Sequence, residues 1–256
     1  MGQVGGLVMA QYVFNPEDYN LGDGRPELPL TIPGDWDTVE IKADSGGAKY
    51  LHLVRNGFNF TPIVFDDVPV VADAEVYLNT VESLVVASTN STARGDGATR
   101  INASGNTYYR GGHNWESLWV ITKRISGSNS TLASGGTRLS TPRRLGVRFL
   151  SVGQDLKVKV WQGAQNDLQY DIPGNEPATW TSETTDSSIS SAGSVGMLFV
   201  GAGGTEQTVD RRIYFAGVGT NGDSAPTGPV PVGPTTPTSL ITSNITANSF
   251  RAGWTP

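Results

Sequence analysis

The segment from Arg143 to Val160 constrains the fold more than any other part of this sequence. Apolar side chains occupy alternate positions on both sides of a glycine-containing turn at 151–155, namely Leu145, Val147 and Phe149 before it and Leu156, Val158 and Val160 after it. Alternation with a period of two places one face of each strand against a core. Because a short turn joins the two runs, the pattern predicts an antiparallel hairpin with one buried face.

Other short strand-like runs recur along the chain: residues 12–14, 38–43, 50–54, 61–65, 74–81, 83–88, 106–110 and 117–123. Turn-forming sequences separate them and predict breaks in the chain, among them Asp44–Gly47, Asn56-Gly57, Arg94–Gly97 and Gly111-Gly112. No apolar stripe has the 3.6-residue period of a helix. The spacing therefore predicts an all-β, two-sheet antiparallel sandwich.

The hairpin is followed by Pro177–Trp180, Asp186–Ser188, Gly193–Phe199 and a last strand that ends at Tyr214–Thr220. This order resembles the concanavalin A-like (laminin-G-like) jelly-roll domains of bacteriophage virion proteins. The resemblance covers residues 143–222 and implies a jelly-roll sandwich of the concanavalin A-like lectin/glucanase type, which we assign to residues 1–221.

Residues 222–236 are rich in proline and glycine and predict an extended spacer. Residues 237–256, with Leu240, Phe250 and Trp254, resemble the first strands of a fibronectin type III domain. Two strands cannot bury a core. We therefore expect the native chain to continue beyond residue 256 or these strands to pair with a neighbouring chain.

The net charge of −6 and the scattered basic residues argue against a nucleic-acid surface. The densest basic cluster, Arg143, Arg144 and Arg148, is interpreted as the solvated face of a strand. The chain has no cysteine, no signal-peptide pattern and no run of about 18 apolar residues that could span a bilayer. We expect a protein made in the host cytoplasm and assembled into a virion without membrane insertion.

Asp35, Asp37 and Glu40 form the one pattern that is similar to a catalytic motif, the Glu-x-Asp-x-x-Glu strand of laminarinase-type glucanases. The leading glutamate is missing, Glu40 falls on the opposite strand face, and the pattern follows Pro33-Gly34 instead of lying on a central strand. We interpret it as a turn before a strand. His52 and His113 stand apart and predict structural or surface roles, so no catalytic residue is assigned.

Acidic residues that could hold Ca²⁺ are Asp66, Asp67 and Asp73, and Asp96 near Asn102 and Asn106. Hard cations need six to eight oxygen ligands, and the spacing of a calcium-binding loop is missing here. No cofactor is therefore assigned, with Ca²⁺ kept as the alternative. The tripeptide Arg94-Gly95-Asp96 matches an integrin-binding sequence and is interpreted as an accidental match in a turn.

Aromatic residues are the remaining candidates for binding. We predict that Tyr108, Asn114 and Trp115 line a glycan surface, because sugars stack on aromatic rings while amide groups bind their hydroxyls. Tyr109 and Trp119 are predicted to fill the core, and Trp161 and Trp180 to pack in the sandwich.

The sequence thus predicts a non-enzymatic structural protein of a tailed-phage virion, either a capsid decoration or head fibre or a tail-associated protein. We expect a homo-oligomer that contacts other virion proteins and binds host-cell glycans weakly. Two alternatives stay open: a carbohydrate-active enzyme or its binding module, and an architectural subunit without a ligand. Opposed carboxylates in a groove would favour an enzyme, and a large flat apolar contact would favour the architectural subunit.

Overall fold

The computed structural model describes residues 10–57, 59–82, 94–113, 118–137, 143–162, 173–200 and 208–228. Its strands in chain order are β1 (Ala10–Phe14), β2 (Leu30–Thr31), β3 (Thr38–Ala43), β4 (Lys49–Asn56), β5 (Ile63–Phe65), β6 (Ala74–Glu82), β7 (Arg94–Ile101), β8 (Tyr108–Gly112), β9 (Trp119–Ile125), β10 (Ser128–Gly135), β11 (Arg143–Val152), β12 (Asp155–Gln162), β13 (Ser182–Thr185), β14 (Ser194–Val200) and β15 (Thr208–Thr220). Short 3-10 turns lie at Pro16–Asp18, Arg25–Glu27 and Pro173–Asn175.

The strands form two antiparallel sheets that pack face to face. Sheet A has the order β13-β12-β11-β6-β15-β4-β3, with β1 also paired to β15, and sheet B has the order β10-β9-β8-β7-β14-β5-β2. Successive strands often cross between the sheets, for example from β6 to β7 and from β13 to β14 to β15. The predicted all-β, two-sheet antiparallel jelly-roll sandwich is confirmed. The described residues contain no helix that could cross a bilayer.

The predicted hairpin is β11 and β12, joined by Gly153 and Gln154. Gly153 has φ +56°, as the first position of a two-residue type II′ turn requires. The register pairs Val147 with Val160 and Phe149 with Val158, so their side chains point together into the core between the sheets. Strand β3 also has the predicted bounds, whereas the predicted strand at 83–88 lies outside the described residues.

Two predicted breaks are wrong, because Arg94–Gly97 and Gly111-Gly112 lie inside strands β7 and β8. Their glycines allow close approach of the two sheets. A Cβ atom on Gly97 would lie 2.9 Å from Cβ of Val76, and one on Gly111 would overlap the Phe149 ring. Glycine within a strand marks such an approach as well as a turn.

The interpretation of the basic cluster as a solvated face is wrong for Arg148, whose side chain is buried on the outer face of sheet A. Its guanidinium pairs with Glu75 and, at 2.7 Å, with Glu176, and Lys159 lies 3.0 Å from the same Glu176 carboxylate. Partial burial disfavours the Glu176 carboxylate, but Arg148 and Lys159 outweigh it and lower the pKa of Glu176. Arg144 lies over the Tyr214 ring at 4.2 Å.

This charged network also holds residues 222–228, which we call the strap, against sheet A. Arg148 donates to the Ala225 carbonyl at 3.0 Å and the Ala225 N–H donates to Glu75 at 3.0 Å. The strap packs above the glycines of β15, and Ala225 joins an apolar cluster with Tyr77, Trp161 and Phe215. The part of the predicted spacer at 222–228 thus contacts the sandwich, while 229–236 and 237–256 lie outside the described residues.

We expect Gly111→Ala to lower the free energy of unfolding by about 1–3 kcal/mol, because the added methyl overlaps the Phe149 ring. Urea denaturation measures the loss. Gly34→Ala is the matched control, since a Cβ there meets no atom within 4 Å. In a Phe149→Leu background the ring is absent, so Gly111→Ala should lower the free energy of unfolding by less than it does in the wild type. A Gly111→Ala midpoint equal to that of the Gly34→Ala protein would contradict the packing argument.

Candidate binding site

Tyr108 lies on β8 and points away from the core, onto the outer face of sheet B. Its side chain is fully buried among Ala98, Leu198 and Val200. Its hydroxyl donates to the Phe60 carbonyl at 2.9 Å. Tyr108 therefore offers no free ring face to a ligand and supports the neighbouring Phe60 instead. Asn114 and Trp115, the other predicted glycan-binding residues, lie outside the described residues, so their role stays a prediction.

Phe60 presents the half-buried aromatic ring of this face. The Arg124 guanidinium lies 4.7 Å and the Arg110 guanidinium 5.6 Å from the ring centroid, within the range of cation–π attraction. Arg124 is opposite Tyr108 in the register of β8 and β9, so strand pairing places it beside the ring. We call Phe60, Asp96, Tyr108, Arg110 and Arg124 the Phe60 patch.

The floor of the Phe60 patch contains a buried ion pair. Arg110 Nη1 lies 2.6 Å from Oδ2 of Asp96, and both side chains are at most 2% exposed. Asp96 Oδ1 and Arg110 Nε are buried without a hydrogen-bond partner. Native proteins seldom leave such groups unsatisfied, and where they do a bound water, ion or ligand is a common explanation. The burial of Asp96 in β7 also corrects the placement of Arg94-Gly95-Asp96 in a turn.

Basic residues outnumber acidic ones in the described strands of sheet B. Its described strands contain one acidic residue, Asp96, against five basic ones, Arg94, Arg100, Arg110, Lys123 and Arg124. The whole chain, in contrast, has a net charge of −6. The described strands of sheet A contain six acidic and ten basic residues, so the two sheets have the same excess of four positive charges. The negative charge of the chain therefore comes from residues outside these strands, and sheet B differs from sheet A in having a single acidic residue in its described strands.

On the inner side of the same strands, Tyr109 fastens the β13–β14 connection to sheet B. Its hydroxyl donates to Asp186 at 2.6 Å and accepts from the Ile189 N–H at 2.9 Å. Lys123 Nζ lies 2.7 Å from Asp186 and 2.7 Å from the Ser188 hydroxyl. We call Tyr109, Lys123, Asp186 and Ser188 the latch, because this cluster joins a core tyrosine to a surface loop.

Burial and the Asp186 hydrogen bond raise the pKa of Tyr109 to about 12. Burial disfavours the Asp186 carboxylate, but hydrogen bonds from Lys123, Tyr109 and Ser188 outweigh it and lower the pKa of Asp186. Folding thus favours protonated Tyr109 and ionised Asp186, the two states present at neutral pH.

Two carboxylates of the pattern similar to a glucanase motif, those of Asp35 and Glu40, are paired with other side chains. Asp35 precedes β3 and binds Arg55 at 3.1 Å and the Asn59 amide at 2.6 Å. Glu40 pairs with Lys42 at 2.7 Å. These residues form a turn followed by an edge strand, as the sequence indicates.

The histidines and the candidate calcium ligands are also held apart. His52 contacts Asp210 at 3.1 Å on sheet A, and His113 is buried beside Gly95. Asp66 accepts from Thr31, and Asp73 accepts from the Gly153 N–H. In the described part of the chain no three His, Cys, Asp or Glu side chains are grouped as a metal would require.

Among the aromatic residues, Tyr109 and Trp161 are buried as predicted, and Trp119 packs against the main core. The half-buried Trp180 lies 5.1 Å from Lys159 Nζ on sheet A. Sequence reasoning did not single out Phe60, Arg110 or Arg124. Once β8 is placed, the outward positions of Tyr108 and Arg110 follow from strand alternation.

No family model and no curated protein matches the sequence. Solved structures that are similar to the chain include the following three. The carbohydrate-binding module CBM66 from Bacillus subtilis has 11% identity and a TM-score of 0.44, and the match covers 73% of this chain and 95% of the module. Lectin II from Ulex europaeus has 8% identity and a TM-score of 0.46, with 83% and 99% covered.

The third structure is a mutant of the GH43 protein BlXynB from Bacillus licheniformis, with 14% identity and a TM-score of 0.45. The match covers 76% of this chain but only 40% of that protein. At such identities the three proteins are similar to this chain in fold alone.

The latch predicts a loss of stability in alkali. The pKa of Tyr109 is about 12 in the folded protein and about 10 in the unfolded chain. The contribution of Tyr109 to the free energy of unfolding is therefore complete below pH 10 and is lost as the pH rises toward 12. The Tyr109→Phe protein has no hydroxyl to ionise, so it should not lose this contribution. Its urea midpoint should therefore fall less between pH 9.5 and pH 11.5 than the midpoint of the wild type. Equal falls in the two proteins would disprove the assignment.

Proposed function

We propose that this protein is a non-catalytic β-sandwich that binds saccharide chains through the Phe60 patch. The supporting observation is a half-buried aromatic ring with two guanidinium groups within 6 Å, on a sheet face supported by apolar side chains. Sugars place their C–H faces on such rings, and guanidinium N–H groups donate to their oxygens.

The acidic residues of sheet B support binding rather than hydrolysis. Most glycoside hydrolases need two carboxyl groups on either side of the scissile bond. The described strands of sheet B supply one, Asp96, and its carboxylate is buried against Arg110. A carboxylate held in this way is poorly placed to act as an acid or a nucleophile.

The wider setting that we propose is a tailed-phage particle, on which the protein decorates the capsid or forms part of the tail or a fibre. Support comes from the resemblance of residues 143–222 to virion jelly rolls and from the proline-rich segment that follows. Many copies on one particle would turn weak saccharide contacts into firm adhesion.

Saccharide binding is tested by screening the recombinant protein on a glycan array and titrating the best ligand by calorimetry. Phe60→Leu retains an apolar side chain but loses the ring, and we expect affinity to fall about 5- to 10-fold. Trp180→Leu, a half-buried tryptophan on sheet A, is the matched control and should retain wild-type affinity. The absence of glycan binding at high valency would refute the proposal. A loss of affinity in the Trp180→Leu protein but not in the Phe60→Leu protein would also refute it.

The virion setting is tested on purified phage particles whose genome encodes this chain. Mass spectrometry should find the protein in a fixed ratio to the major capsid or tail proteins, and labelled antibody should decorate intact particles in electron micrographs. Particles that contain none of the protein would refute this setting and leave the saccharide proposal standing.

A further inference from the structure

We infer that the saccharide bound at the Phe60 patch is acidic, carrying a carboxylate or sulfate group that pairs with Arg124. The inference rests on the proposed saccharide function and adds the chemical class of the ligand. Its basis is the local charge of the patch, which is positive although the whole chain has a net charge of −6.

Arg124 lacks the carboxylate partner that most of the arginines stacked on aromatic rings have in the described residues. Four of the others also pair with carboxylates, namely Arg55, Arg100, Arg110 and Arg148. Arg212, which lies over Tyr50, shares the buried Nε without a partner, but its side chain hydrogen-bonds to Tyr214. Arg124 lies over Phe60, no carboxylate lies within 4 Å of it in the part of the chain described, and its Nε is buried without a partner. The stack therefore fixes the guanidinium while leaving its charge uncompensated.

The other ionised groups of the patch do not supply the missing anion. Asp96 is the one acidic residue in the described strands of sheet B, and its carboxylate is occupied by Arg110. With Asp96 and Arg110 neutralising each other, Arg124 gives the patch a net charge of about +1. An anionic group on a sugar that stacks on Phe60 would place its oxygens beside a planar guanidinium, which suits carboxylate and sulfate equally.

The negative charge of the chain makes this inference easy to test. A protein with a net charge of −6 is repelled by a polyanion, so retention by an acidic polysaccharide requires a local site and not a general attraction. Binding through one charge pair should weaken as salt is added.

The experiment compares polygalacturonate with its methyl-esterified form, and dextran sulfate with dextran, by affinity electrophoresis and calorimetry at low and high salt. We expect at least a tenfold preference for one acidic polymer over its neutral counterpart, and this preference should decrease in high salt. A preference for polygalacturonate identifies the group as a carboxylate, and a preference for dextran sulfate identifies it as a sulfate. Arg124→Gln should abolish the preference. Arg212→Gln, an arginine 5.1 Å over Tyr50 on sheet A, should keep it.

The outcomes separate the two proposals. Equal binding of charged and neutral polymers, weakened by Phe60→Leu, would overturn the acidic ligand but keep saccharide binding. No binding to any polymer or array glycan would overturn both. A preference that survives Arg124→Gln, or is lost equally in Arg212→Gln, would place the acidic site elsewhere and overturn the assignment to Arg124.

Discussion

The packing of Phe149 between the sheets sets the geometry on which the candidate site depends. The ring occupies the space that a side chain at Gly111 would fill, so β8 can lie over β11 only with Gly111 facing inward. Tyr109, two residues earlier, then also faces inward, and Tyr108 and Arg110 face outward. A slip by one residue would turn the Arg110 guanidinium into the core, so packing on one side of the strand maintains the patch on the other.

The buried pair of Asp96 and Arg110 is difficult to explain as a source of stability alone. Removing two charges from water costs free energy that their attraction repays only when the remaining polar atoms are also satisfied. Here one carboxylate oxygen and one guanidinium N–H lack partners. The network around Arg148 on sheet A is more completely bonded, since it involves two glutamates, a lysine and a backbone carbonyl. The Asp96–Arg110 pair therefore retains unused hydrogen-bonding groups, which the Arg148 network does not.

Alternation of apolar side chains predicted the regular parts of the fold, namely β3, β11 and β12, because each buries one face. It could not identify β7, whose glycines replace apolar side chains where the sheets meet and so resemble a turn in the sequence. It also misplaced Arg148, since a period-two pattern gives the direction of a side chain but not what covers it. Phe60 lies outside the strands, and only the three-dimensional structure places it beside Arg124 and Tyr108.

The strap has a geometric consequence for the whole molecule. Because Ala225 is anchored by Glu75 and Arg148, the strap lies on the outside of sheet A, whereas Phe60 is on the outside of sheet B. A body attached to the strap would therefore lie on the side of the sandwich opposite to the Phe60 patch. If the strap were tethered to a large body, the Phe60 patch would face away from that body.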